Sequence, residues 1–142
     1  MYPALEVARY VIWYCQQMNY IVSNLKLQKI LYFLQAEFLV VRNSPCFNET
    51  IEAWTFGPVV PEVYKEYKMF GNAHIPCADS ADDFNIEECD RDLINGIIDT
   101  CSRYTASQLV DLTHSQSPWI NAYEPYQNNP ITQESIRDFF IS

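Results

Sequence analysis

The sequence predicts a mainly α fold, a compact helical bundle of about six helices with a small β-hairpin inserted after the second helix. Three observations carry this expectation. Apolar residues recur at helical spacing through most segments, good N-cap residues precede several of them, and one β-branched, aromatic run, "TIEAWTF", breaks the helical pattern. A chain of 142 residues is one domain's worth of sequence. Residues 1–142 therefore read as a single domain.

The first helix is expected from Pro3 to Met18. Pro3 suits a first turn, and Leu5, Ala8, Val11, Ile12 and Cys15 share a face. Ser23 is a good N-cap for a second helix from Leu25 to Arg42, striped by Leu27, Leu31, Leu34, Phe38 and Val41. Ile30, Phe33, Leu39 and Val40 broaden that stripe nearly all round, which places this helix centrally. "RNSPCFNET" then breaks helicity. In "TIEAWTF", Ile51, Ala53 and Thr55 alternate against Glu52, Trp54 and Phe56, which predicts a short strand paired with the residues around Phe47.

Gly57-Pro58 is expected to end that strand, and Pro61 to open the next helix, with Val63, Tyr64, Tyr67 and Phe70 inward and Gly71 as its stop. "ADSADDFN" reads as an acidic loop leading into a helix from Ile86 to Tyr104, buried through Leu93, Ile97, Ile98 and Cys101. Thr105 caps a short helix to Thr113, and Ser117 caps a brief turn carrying Trp119 and Ile120. After the loop "EPYQNNP", Thr132 caps a last helix bearing Ile136, Phe139, Phe140 and Ile141.

Composition excludes several function classes. Five cysteines without a CxxC pair do not make a disulfide framework, so they read as reduced, mostly buried thiols in a cytoplasmic protein. The N-terminal stretch has Glu6 and Arg9 inside it and no small-residue cleavage site, so it does not read as a signal peptide. "ILYFLQAEFLVV" is too short, and too interrupted by Gln35 and Glu37, to span a membrane. Residues 1–78 are balanced, with six basic and six acidic side chains, whereas residues 79–142 carry three arginines against twelve acids and hence the whole net charge of −9. That balance disfavours direct nucleic-acid binding and suits both solubility and attraction of a basic partner.

Chemistry-bearing motifs are sparse. Three glycines and no GxGxxG or GxxxxGK[ST] leave no phosphate cradle, so no cofactor is expected. His74 and Cys77, with Cys89 and Cys101, lack a second paired-ligand motif, so no metal is expected either. In "DLTHSQSPW", Asp111 stands three residues before His114, close enough on a helix to orient an imidazole, and Ser115 and Ser117 follow. Nothing there supplies a strained nucleophile turn, and His114 more simply ends its helix. A small hydrolase using His114 and Asp111 thus stands as an alternative, and no catalytic residue is assigned. Lys26 and Lys29 lie in the first turns of the central helix, where cations are disfavoured. They read as its exposed edge, facing solvent, a partner, or an internal acid such as Glu52.

"VSNLKLQKILYFLQAEFLV", "IEAWTFGPVVPEVYKEYKMFG" and "LVDLTHSQSPWINAY", in this order and at these distances, strongly resemble the Panacea domain, the SocA-like antitoxin family that includes phage-associated proteins. The resemblance runs from the first helix to "ITQESIRDFF". It implies an antitoxin of a toxin–antitoxin pair, in a bacterium, prophage or phage, that neutralises a cognate protein toxin by direct protein–protein interaction. It implies no catalysis by the domain. For some relatives it also suggests an adaptor that delivers its partner to a protease. The family blocks fall on Leu25 to Lys29, Leu31 and Tyr32, on Glu52 to Pro61, and on Leu112 to His114, Pro118 and Trp119. Together with the aromatics of the hairpin and following helix, they make Lys26, Lys29, Glu52, Trp54, Phe56, Val59, Tyr64 and His114 the expected partner-binding residues. Trp54 and Phe56 share a face with Glu52, so both are not expected to be deeply buried.

Overall fold

The computed structural model describes residues 1–142. Seven helices, α1 (Ala4–Met18), α2 (Asn24–Val41), α3 (Pro61–Tyr67), α4 (Glu88–Ser102), α5 (Ala106–His114), α6 (Ser117–Ala122) and α7 (Gln133–Ile141), surround one core. Three short strands, β1 (Ile51–Trp54), β2 (Gly57–Val59) and β3 (Pro130–Ile131), form an antiparallel sheet in the order β2-β1-β3. The mainly α expectation holds.

The caps explain the helix starts. Ser23 accepts from the Lys26 amide at 3.2 Å, and Thr132 from the Ser135 amide at 3.1 Å. Thr105 and Gln108 form a reciprocal capping box. Pro61 occupies the first turn of α3, which winds into a 3₁₀ turn, Lys68–Phe70, and stops at Gly71. The turn before Trp119 departs from expectation: Gln116 is the N-cap of α6, and Ser117 is its first residue.

As the breadth of its apolar stripe predicted, α2 is central and packs against α1, α3, α4, α5, α7 and β2. Its buried set is not purely apolar, however. Asn24, Gln28, Lys29 and Gln35 are buried with Leu27, Ile30, Leu31 and Leu34. Each polar side chain staples a neighbouring segment. Asn24 Nδ2 donates to the Tyr64 carbonyl at 3.1 Å, and Gln28 Oε1 accepts from the Val60 amide at 2.8 Å. Gln35 accepts from the Cys46 amide and donates to the Phe47 carbonyl, both at 2.8 Å. Tyr32 donates to Gln116 Oε1 at 2.8 Å. Buried polar groups must be paired, and here the pairing fixes loops that carry little apolar area of their own.

The hairpin differs from expectation in its partner strand. β1 pairs not with the residues around Phe47 but with β2, in the register Glu52↔Val59, Ala53↔Pro58 and Trp54↔Gly57. Phe47 instead bridges Tyr2 near the start of the chain. Gly57-Pro58 does not end the strand segment; it is the return strand. Pro58 is tolerated because its missing N–H lies on the side facing away from β1, where its carbonyl points to α2. The loop before α7 also contributes β3, which the polar sequence "YQNNP" gave no β-propensity to predict; the Ala53 amide donates to the Asn129 carbonyl at 2.8 Å.

Candidate functional site: a clamped hairpin and its aromatic cleft

The hairpin is held from two sides. On the α2 side, Lys29 Nζ donates to the Pro58 carbonyl at 2.8 Å, and the Gln28 bond to the Val60 amide lies beside it. Together they satisfy the outer edge of β2, which would otherwise offer an unpaired strand edge. Lys29 is 0% exposed and has no carboxylate partner, because the ion pairs of the protein are Arg9–Asp79 and Arg42–Asp90. Burial pushes its ammonium down from 10.5 to about 7. The expectation of an exposed lysine therefore fails at Lys29, which is a structural clamp and offers no partner contact. The Cβ of any residue replacing Gly57 would lie 2.7 Å from Lys29 Cε and 2.8 Å from Thr113 Oγ1, and Gly57 has φ +101°.

On the α5–α6 side, a stack of three rings grips the turn. His114 and Trp119 lie 4.1 Å apart between centroids, and Trp119 and Tyr123 4.6 Å. Trp119 Nε1 donates to the Trp54 carbonyl at 2.8 Å. His114 Nε2 lies 2.9 Å from the Thr55 carbonyl, a geometry that requires the proton on Nε2. The Tyr123 and Thr55 hydroxyls are 3.3 Å apart. His114 thus turns to the hairpin backbone rather than to Asp111, which is exposed. No nucleophile–base–orienter arrangement results.

The remaining expected residues divide between core and surface. Val59 is buried in the return strand, with only a small part of its side chain reaching the cleft described next. Glu52, half-buried, accepts from Trp54 Nε1 at 2.9 Å and makes no bond to Lys26 or Lys29. Trp54 meets Tyr64 edge to face at 5.0 Å. Lys26 is half-exposed on a different surface, beside Ser23 and Arg103. Trp54, Phe56, Val59 and Tyr64 do converge: with Leu25, Tyr123, Glu124 and Tyr126 they line a cleft of about 270 Å³ between the hairpin and the loop after α6. Phe56 is 64% and Tyr126 99% exposed at its rim. Sequence reasoning missed Tyr123, Glu124 and Tyr126, whose only signal was the aromatic–acidic pattern "YEPY" in a loop.

Elsewhere the thiols are unpaired: Cys15, Cys46 and Cys101 are buried, and burial raises each to about 12, which leaves them inert. His74 Nδ1 accepts from the Val22 amide at 2.9 Å, and Cys77 Sγ donates to the Asp79 carbonyl at 3.5 Å. At the start of α4, Glu87, Cys89 and Asp90 approach one another, but Asp90 already accepts from Tyr2 and pairs with Arg42. No helix of the protein is long and apolar enough to cross a membrane.

The chain is thus a helical bundle built around a hairpin that is clamped by side chains and bordered by exposed aromatics. Within it, residues 27–120 match the family "Antitoxin SocA-like, Panacea domain", and the chain belongs to that family. Over 109 residues it is 39% identical to the protein "Antitoxin SocA" of Caulobacter vibrioides (strain NA1000 / CB15N), an alignment covering 69% of this chain and 58% of that protein. The chain thus spans well under two thirds of that relative's length. No solved structure matches it.

Proposed function

We propose that this chain is an antitoxin that neutralises a cognate protein toxin by direct contact, using the aromatic cleft and hairpin tip as its contact surface. Family membership supports the antitoxin role. One observation carries the contact reading. Phe56 and Tyr126, 64% and 99% exposed, flank a cleft whose hairpin wall is fixed by Lys29, His114 and Trp119. Exposed aromatics on a rigid frame are what interface energy concentrates in, because little entropy is lost when they are covered. Residues 1–142 act as one unit, with buried core residues from α1 to α5 and α7 and the partly buried Trp119 and Ala122 of α6 packed against them. The protein acts in the cytoplasm, of a bacterium or of a phage host, without catalysis and without binding nucleic acid. The acidic residues 79–142 speed the approach of a basic toxin.

The test is co-expression with the product of the adjacent reading frame, scored by growth rescue and co-purification. Failure of both overturns the proposal. The toxin's half-life separates the two modes of neutralisation: an occluding antitoxin leaves it unchanged or longer, whereas an adaptor to a protease shortens it.

A further inference from the structure

We infer that the cleft between the hairpin and the 123–128 loop is a receptor for an arginine side chain of the partner protein. The inference rests on the reading of this face as the contact surface and specifies the chemistry it recognises.

Size comes first. At about 270 Å³ the cleft lies at the small end of ligand sites and is large enough to take one long side chain. Its lining is ring-rich: Trp54 and Tyr64 meet edge to face at 5.0 Å, Tyr123 joins them, and Phe56 and Tyr126 are exposed at its rim. Its charge has one sign. Glu124 is the sole carboxylate of the lining, and no lysine, arginine or histidine accompanies it. Glu52 adds a second carboxylate just behind the wall, where it holds the Trp54 indole N–H at 2.9 Å.

Aromatic faces are the negative part of a ring's quadrupole, so a cation over them is attracted. A purely aliphatic guest would cover the rings equally well but would remove water from Glu124 with nothing to replace it. A cation removes that penalty. Between the two candidates, guanidinium is planar, weakly hydrated and able to stack on a ring while forking toward a carboxylate. An ammonium is compact and strongly hydrated. The cleft's combination of an aromatic lining with a single exposed carboxylate therefore favours arginine over lysine.

The test uses the chain alone. N-acetyl-arginine-N-methylamide is titrated at low ionic strength, followed by the Trp54 indole N–H resonance, alongside its citrulline, lysine and norleucine counterparts. The arginine probe is expected to give a saturable shift in the millimolar range, at least about fivefold tighter than citrulline, consistent with a cation–π and carboxylate contribution at a partly exposed site. Glu124→Gln, at an exposed position, is expected to weaken the arginine probe roughly threefold without changing Tm. Equal binding of norleucine or lysine, or no shift with any probe, overturns the inference. Those results leave the antitoxin reading intact if growth rescue persists. Arginine selectivity without growth rescue would instead remove the antitoxin reading and leave the cleft's chemistry standing.

Discussion

Lys29 Nζ lies 2.8 Å from the carbonyl oxygen of Pro58, inside the protein and without a carboxylate partner. One amine on α2 thereby replaces the strand that would otherwise pair with the edge of β2. The arrangement makes stability depend on pH. The folded-state value of Lys29 is lowered to about 7, while the unfolded chain keeps it near 10.5, so between these values the unfolded state holds more protons. Stability therefore rises as pH increases through 7, with a slope approaching about 1.4 kcal/mol per pH unit. The opposite limb begins near 9, where Cys15, Cys46 and Cys101 ionise only on unfolding, because burial holds them near 12 in the native state. Urea denaturation from pH 6 to 10 is expected to show a stability maximum between about 8 and 9. Lys29→Met should abolish the rising limb, whatever it does to absolute stability. A slope that survives this substitution would assign the effect elsewhere.

Gly57 is required by both conformation and space. Its φ of +101° is strained for any residue with a Cβ, and that Cβ would meet Lys29 Cε at 2.7 Å and Thr113 Oγ1 at 2.8 Å. Gly57→Ala should cost roughly 2–4 kcal/mol, the strain and the overpacking adding. Gly96→Ala is the control: it sits in α4 with open space around it and should stabilise by up to about 1 kcal/mol. Midpoints in urea distinguish the two.

His114 connects α5 to the hairpin turn through Thr55 and stacks on Trp119. Its loss should cost about 1–2 kcal/mol, from one hydrogen bond and part of a stack. Neutralisation of the toxin should persist in His114→Ala at temperatures where the variant is folded. Loss of activity with folding and toxin binding intact would revive a catalytic role for His114 and Asp111.

The bundle was legible in sequence because helical periodicity and caps are local: Ser23, Thr105 and Thr132 cap where they were expected to. The hairpin's register was not, because Pro58 argues against a strand until the side that its missing N–H faces is known. Lys29 was misread for a related reason. Charge at a helix N-terminus looks like a surface feature, and only the tertiary arrangement puts a lone carbonyl in reach. Asn24, Gln28 and Gln35 gave a faint signal, being polar positions in a helix otherwise apolar nearly all round. The three family blocks gain a physical meaning here. Gln28 and Lys29 from the first block, and Thr113, His114 and Trp119 from the last, converge on the hairpin that forms the middle one. In this chain, much of what the three blocks bring together is thus a clamp on the hairpin. The cleft's far wall, Tyr123 to Tyr126, stayed hidden because loop residues carry no periodicity.

That division between clamp and surface can be separated by two neighbouring substitutions. Phe56 is 64% exposed at the hairpin tip, whereas Val59 is 3% exposed in the return strand. Phe56→Ala removes no core contact, so stability should change by less than about 0.5 kcal/mol. If the tip is an anchor for the toxin, affinity should fall by about tenfold or more, since a buried aromatic anchor contributes on the order of 2 kcal/mol. Val59→Ala should shift the balance the other way, costing roughly 1–2 kcal/mol of stability through lost packing while lowering affinity less than Phe56→Ala does, because only a small part of Val59 reaches the cleft. Calorimetric titration against the co-purified toxin, beside urea melts of the free chain, measures both. The contact surface lies elsewhere if Phe56→Ala binds like the parent chain, and the hairpin would then be wholly architectural.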